Sequence, residues 1–287
     1  MKEIIVGIDF SKSCIHALEF AIDIANDMKA NILMVHVDKP YSPESAYSKK
    51  GAEHKDKLVC LFEKLIKKYK PAMKGTLAYK IRKGKVHVEM GNQAKYSDAA
   101  LLIAGTHGVS GVEEFWIGSN AYKMVTSAPC PVITVREGFI WKKKRITKIV
   151  IPIDSTIETR QKTPVACEIA KACDAEIHVL ALHSSKQKDI RKLVDKYSEQ
   201  TCNYIKSNGV KCELITIDCD NITNAALDYA AKEKADLIAI MTEQETTTSN
   251  LWLGPYAQQM VNHSPIPVLT VHAQSIYDVR TKEQPYL

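Results

Sequence analysis

Apolar positions in this chain gather into short, nearly unbroken runs, separated by longer stretches in which they recur every three or four residues. In the first half the runs are Glu3 to Asp9, Asn31 to Val37, Leu77 to Arg82, Ala100 to Gly105 and Val132 to Arg136. Continuous runs of this kind suit strands of a parallel sheet covered on both faces. Between them, Leu18, Ala21, Ile22 and Ala25 follow an i, i+3, i+4, i+7 spacing, and Val86, Met90 and Ala94 follow i, i+4, i+8. Each set puts an apolar stripe on one face of a helix. The alternation predicts β-α-β-α-β-α-β-α-β, and right-handed crossovers between parallel strands make that a doubly wound α/β domain.

The pattern then repeats. Ile4 to Asp9 reappears as Ile149 to Asp154, both apolar runs ending in Asp, an offset of 145 that also aligns Ala21 and Ala25 with Ala166 and Ala170. Further on the offset becomes 136: Leu101 to Gly105 matches Leu237 to Met241, Trp116 matches Trp252, Gly118 matches Gly254, and Pro129-Cys130-Pro131-Val132 matches Pro265-Ile266-Pro267-Val268. One order of landmarks across both halves predicts two copies of one domain. The expected organisation is a first domain over 1–138, a basic linker over 139–146 with Trp141-Lys142-Lys143-Lys144-Arg145, a second domain over 147–272, and a polar tail over 273–287.

Composition changes this picture little. With 287 residues, 45% apolar and 25% charged, each half has enough chain for its own core. The start lacks the charged and apolar regions of a secretory signal, and no apolar run approaches the roughly 20 residues of a membrane span, so a cytoplasmic location without membrane contact is expected. The eight cysteines include no Cys-x-x-Cys pair and are expected to be reduced and structural. A zinc site from Cys167, Cys173, His178 and His183 matches no common ligand spacing, and no metal site is expected. The net charge of +6 is carried by the first half and the linker, which favours a polyanionic ligand, although many of the lysines fall on a predicted helix as a solvated face.

The candidate chemistry lies at Gly105-Thr106-His107-Gly108, followed after a further stretch by Gly118-Ser119. This segment follows an apolar strand and opens an amphipathic helix, Asn120 to Ser127. Glycines at 105, 108 and 111 would let the backbone take positive φ and bring N–H groups close to an anion. The first N–H groups of the helix would add unpaired donors with partial positive charge. The plainer alternative is a glycine-rich turn with a helix cap. Ligands of doubly wound sheets bind beyond the carboxyl ends of the strands where strand order reverses, which is where Asp9 and Gly105 would sit.

The spacing Gly-2x-Gly-9x-Gly-Ser, met at Gly105, Gly108, Gly118 and Ser119, together with Ser127-Ala128-Pro129-Cys130-Pro131-Val132, resembles the universal stress protein family, in a tandem arrangement covering about 2–137 and 146–272. The resemblance implies two α/β domains, each a five-stranded parallel sheet of order 3-2-1-4-5, and ATP or a related adenine nucleotide as ligand. It places Asp9 at the adenosine and the backbone of Val37 at the adenine edge. Ala104 and Gly105 would line the ribose side, and Gly108, Gly118, Ser119 and Asn120 the phosphates. Mg²⁺ bridged to the phosphates would be held by Asp9 and Ser119. Asp9 alternatively serves only to cap the following helix. The fifth strands, Val132 to Arg136 and Val268 to His272, would pair within the chain, covering two edges that otherwise invite association. Whole chains would remain free to form a homodimer.

The second copy departs from this pattern. Met241 and Gln244 stand for Gly105 and Gly108, Pro255 stands for Ser119, and Glu243 and Glu245 add negative charge. Positive φ at Met or Gln costs about 1–2 kcal/mol, and proline removes an N–H. The site is therefore expected in the first domain only. No Gly-x-x-x-x-Gly-Lys-[Ser/Thr] loop and no evident phosphate-directed lysine are present, and Glu113 and Glu114 would repel phosphates, so the loop supports at most slow hydrolysis or self-phosphorylation. His107 either touches a phosphate or is an ordinary loop residue. The reading is a nucleotide-gated stress regulator acting on an unidentified protein partner. The competing reading is a nucleotide-independent scaffold presenting Phe115, Trp116 and Trp252. Nucleic-acid binding through Lys142 to Arg145 lacks a stacking platform.

Overall fold

The computed structural model describes residues 2–38, 49–106, 118–143, 145–242 and 253–273. The first half runs β1 (Glu3–Gly7), α1 (Lys12–Met28), β2 (Asn31–Asp38), α2 (Lys49–Tyr69), β3 (Leu77–Lys83), α3 (Val86–Tyr96), β4 (Leu101–Gly105), α4 (Ser119–Ser127) and β5 (Val132–Val135). The second runs β6 (Lys148–Ile153), a 3-10 turn (Ile157–Arg160), α5 (Thr163–Cys173), β7 (Glu176–His183), α6 (Lys188–Ser207), β8 (Cys212–Asp218), α7 (Ile222–Lys232), β9 (Leu237–Thr242), α8 (Pro255–His263) and β10 (Val268–His272). The central apolar runs became strands whose side chains are buried whichever face they point to, while the edge run Leu77–Lys83 is mostly half-buried. Ile4, Ile5, Val6, Leu102 and Ile103 all have zero exposure.

Within each half the strands are parallel, in the order 3-2-1-4-5 expected of the doubly wound class. The fifth strands pair antiparallel, Val268 with Thr134, Leu269 with Ile133 and Thr270 with Val132. The result is one ten-stranded sheet, β3-β2-β1-β4-β5-β10-β9-β6-β7-β8. Helices α1, α2, α5 and α6 cover one face and α3, α4, α7 and α8 the other, so each apolar core runs unbroken across both halves.

The duplication extends to helix ends. Helix α1 stops at Lys29, in the left-handed region at φ 53°, and α5 stops at its counterpart Asp174, also at φ 53°. Each donates its N–H to an alanine carbonyl in the last turn, Ala25 or Ala170. Such a stop usually recruits glycine, and a side chain there costs about 1–2 kcal/mol. The same non-glycine device in both copies is a structural mark of common descent.

The linker packs against the fold. Trp141 sets its ring edge-on to Phe20 at 4.9 Å and donates its indole N–H to Asp23 at 2.6 Å. Lys143 pairs with Asp236 at 2.6 Å and Arg145 with Asp27 at 3.4 Å. Two of the linker's charges are thus neutralised within the chain, and Lys144 lies outside the described residues. One sequence expectation fails: Cys202 and Cys212 form a disulfide that fastens α6 to β8. The apolar contexts of these two cysteines hid the fact that the helix and the edge strand bring their Cα atoms to 5.9 Å. The other six cysteines are free.

Candidate functional site

An open cleft of about 330 Å³ lies beyond the carboxyl ends of β1, β2 and β4, where the sheet order reverses. That volume is in the lower range of small-ligand pockets. Asp9, Val37, Ala104, Gly105, Gly118, Ser119 and Asn120 all line it. Gly108 lies outside the described residues, as do His107, Gly111, Glu113, Glu114, Phe115 and Trp116.

Asp9 is aimed by local structure. Ile8 donates its N–H to Val35 O at 2.9 Å, while the Nδ1–H of His36 donates to Ile8 O at 2.8 Å, so the strand end is held from both sides. Asp9 Oδ1 then accepts the Ser11 N–H at 3.0 Å, and Ser11, the N-cap of α1, accepts the Cys14 N–H at 3.3 Å. Asp9 braces the cap but is not itself the cap. Between them Phe10 sits at φ 65°, an unfavourable conformation for a bulky residue, with its ring packed on Phe62 and His36. Such strain persists only where neighbouring packing enforces it. The buried thiol of Cys14 donates to Ser11 O at 3.2 Å; burial and the nearby Asp9 push its pKa up to about 12, so it remains an un-ionised wall of the cleft.

Val37 presents its backbone. Backbone groups alternate sides along a strand. The Val35 carbonyl faces β1, where it receives the Ile8 N–H, so the N–H and C=O of Val37 face the same way. The β1–β2 ladder ends at the Gly7–Val35 pair, which leaves those groups toward the cleft.

The glycines act by close approach. Neither Gly105 nor Gly118 has positive φ; Gly118 stands at φ −58° as the N-cap of α4. A Cβ on Gly105 would lie 2.5 Å from Ser13 Oγ, and one on Gly118 would lie 2.9 Å from the Thr106 carbonyl oxygen. That carbonyl accepts the Gly118 N–H at 2.9 Å, and Thr106 in turn donates its N–H to Val135 O at 2.9 Å. Helix α4 begins with no side-chain cap and no acidic residue in its first turn, so its leading N–H groups keep their capacity for an anion.

Several lining residues were not assigned to the site from sequence, including Ile8, Cys14, Val86, Met90 and Met124. The i, i+4 stripe on α3 contained Val86 and Met90, but periodicity alone assigns such residues to core.

The second half is built differently at the corresponding place. Asp154 Oδ1 accepts from the backbone N–H and the hydroxyl of Thr156, at 2.8 and 2.6 Å. The helix start is replaced by the 3-10 turn Ile157–Arg160, which packs on β9. Behind it Lys162 is buried and donates to both the carbonyl and the hydroxyl of Thr159. Burial pulls Lys162 down to about 8 against the partial support of Asp154. Met241 ends in β9 and Pro255 opens α8; Glu243, Gln244, Glu245 and Trp252 lie outside the described residues.

The sequence profile described as the universal stress protein family matches residues 1–136 and again 145–272. Universal stress protein YxiE of Bacillus subtilis is 29% identical over 148 residues, a match covering 47% of this chain and 99% of the relative. A universal stress protein structure from Archaeoglobus fulgidus superposes with a TM-score of 0.75 at 15% identity, covering 95% of this chain and 98% of its own. A functionally unknown protein from Pseudomonas aeruginosa superposes with a TM-score of 0.67 at 17% identity, covering 99% and 98%. At such identities these two structures speak for the fold alone.

Proposed function

The chain belongs to the universal stress protein family through both of its halves, and on that premise we propose that its first-half cleft binds ATP or a related adenine nucleotide and that the protein acts as a nucleotide-dependent regulator. The observation that carries this reading is the start of α4. An uncapped helix N-terminus opens on the cleft directly behind a glycine whose Cβ would collide with Thr106 O. Asp9 and the outward-facing backbone of Val37 offer the adenosine end its polar partners. Ile8, Val86 and Met90 supply apolar walls for a planar base.

Magnitudes apportion the work. A helix N-terminus stabilises an anion by about 0.3–1 kcal/mol, rising to about 2 where partly buried. Micromolar affinity requires about 8 kcal/mol. The base and ribose contacts must supply most of the difference, so Asp9 and Val37 weigh as much as the phosphate loop. Mg²⁺ would arrive with the phosphates: among the described residues no group of three His, Cys, Asp or Glu side chains is placed to hold a metal ion.

The second half is proposed to carry no such site. Pro255 removes one donor from the first turn of α8, and Lys162 with the 3-10 turn rebuilds the floor where Cys14 and Ser13 stand in the first. Calorimetric titration of the nucleotide-free chain with Mg-ATP tests both statements. One site per chain is expected. Two sites would overturn the assignment to the first half, and no binding at millimolar nucleotide would replace this reading with the scaffold.

A further inference from the structure

Helices α3 and α4 meet at the mouth of the cleft, α3 through Val86 and Met90, α4 through Ser119 and Asn120. Beside these lining residues stand Lys85, at the N-cap of α3, His87, in its first turn, and Lys123, one turn into α4. Among the described residues none of the three side chains makes a hydrogen bond or ion pair, and His87 Nδ1 is buried without a partner. Two features make the arrangement costly to keep. Cations at the start of α3 oppose its dipole, whose N-terminal end is already positive. The lysines also act on His87, whose pKa lies below the usual histidine range, first through burial and then through Lys123 and Lys85.

The second half supplies an internal control. At the offset that aligns Ala99 with Ala235, Lys85 corresponds to Asn221, His87 to Thr223 and Lys123 to Gln259. All three are neutral. Asn221 caps α7 by accepting the Asn224 N–H at 2.9 Å, and the Thr223 hydroxyl donates to Gln259 Oε1 at 3.1 Å. Where these positions are neutral each finds a hydrogen bond, and the Thr223–Gln259 contact shows that the 87 and 123 positions face each other across the helix pair. In the half with the open cleft two of the positions are lysines whose side chains make no such bonds, and the one acidic residue in the first turn of α3, Glu89, pairs with Arg82 at 3.7 Å. Violations of local rules at a cleft are where ligands are expected. Helical side chains lean toward the helix N-terminus, which carries Lys123 back over the turn formed by Ser119 and Asn120.

We infer that Lys85, His87 and Lys123 form a subsite for the terminal phosphates of a nucleoside triphosphate, so that the first-half cleft selects a polyphosphate chain over a nucleoside monophosphate or cyclic monophosphate. The inference rests on the nucleotide reading of the same cleft and adds what that reading lacks, a source of discrimination by phosphate number. The backbone at Gly118 and Ser119 would hold the phosphate nearer the ribose, and the rim those beyond it.

The test transplants the second-half residues, Lys85→Asn, His87→Thr and Lys123→Gln, into the full chain, a combination the fold already tolerates at α7 and α8. ATP, AMP, cyclic AMP and inorganic tripolyphosphate are titrated against both proteins at fixed salt. The wild type is expected to prefer ATP to AMP, and the triple variant to lose about tenfold or more in ATP affinity while AMP changes less than about twofold. Tripolyphosphate binding should fall in parallel with ATP. Equal loss for ATP and AMP, or no loss for either, overturns the subsite. If no adenine nucleotide binds the wild type but tripolyphosphate does, and the variant loses it, the rim stands and the adenine assignment falls. If tripolyphosphate also fails to bind, both fall.

Discussion

At the scale of single residues, Gly118 separates what a glycine permits from what it prevents. The loop glycines suggested positive φ, yet Gly118 has φ −58° and Gly105 is not in the left-handed region either. What glycine secures is room: Ser13 Oγ lies where a Gly105 Cβ would be, and Thr106 O where a Gly118 Cβ would be. Gly118→Val should therefore push Thr106 away from the start of α4 and misplace the leading N–H groups. Nucleotide affinity should fall at least about tenfold, measured by titration, with the far-ultraviolet circular dichroism unchanged. Undiminished affinity would remove the α4 N-terminus from the site. Asp9, Val37, Ala104, Gly105, Gly118, Ser119 and Asn120 were legible as cleft residues because strand ends and glycine spacing are one-dimensional signals. The reason for each glycine was not, since Ser13 and Thr106 meet them only in three dimensions. Positive φ is for the same reason not what separates Met241 from its counterpart Gly105. In the second half the counterpart of Ser13 lies in the 3-10 turn Ile157–Arg160, so the neighbour that excludes a side chain in the first half is rearranged.

At the scale of elements, hydrophobic periodicity located the five strands of the first half to within about two residues, since boundaries fray at that level under any definition. It failed where two homologous elements diverged. In the first half Ser11 caps α1 and helix begins at Lys12; in the second a 3-10 turn intervenes and α5 begins only at Thr163, behind the buried Lys162. A lysine there reads as one more surface charge in sequence, because burial depends on how the turn folds over β9. Its energetics give a test with a definite sign. The folded pKa is about 8 and the ordinary value 10.5, so between these limits the unfolded chain holds the proton and the folded chain has released it. Stability contributed by this group should rise as pH increases from 8 toward 10.5, and the full burial penalty should remain below pH 8. Lys162→Met keeps the length of the side chain and removes the charge. It should stabilise the protein at pH 7 by up to about 3 kcal/mol in urea unfolding, with the gain shrinking as pH rises through 9 to about 10. A variant less stable than wild type at pH 7 would show that the bonds to Thr159 outweigh the cost of desolvating the ammonium.

At the scale of the whole molecule, the two halves are joined more tightly than a duplicated sequence requires. Repeats connected by a flexible linker would unfold separately. Here the sheet is continuous through the β5–β10 pair, both apolar cores cross the boundary, and α1 packs on α5. Side chains reinforce the seam: Tyr122 of α4 receives the Leu253 N–H at 3.2 Å, and Arg136 donates to His263 O at 3.4 Å. The linker adds Trp141, whose ring lies on Phe20 and whose N–H is held by Asp23. Opening the seam would expose two strand edges and split each core, a larger penalty than the few hydrogen bonds imply. Unfolding is therefore expected as one transition, with heat absorption and loss of circular dichroism coincident and the van't Hoff enthalpy equal to the calorimetric one. Trp141→Ala removes an aromatic anchor from α1 and should lower the single midpoint, by about 3 kcal/mol of stability, without dividing the transition. Two resolved transitions in the wild type would mean that each half is stable alone and the shared sheet adds little. One transition would mean that the second half serves the first as a structural partner, since the first-half cleft stands on a sheet that continues beyond β5 into β10.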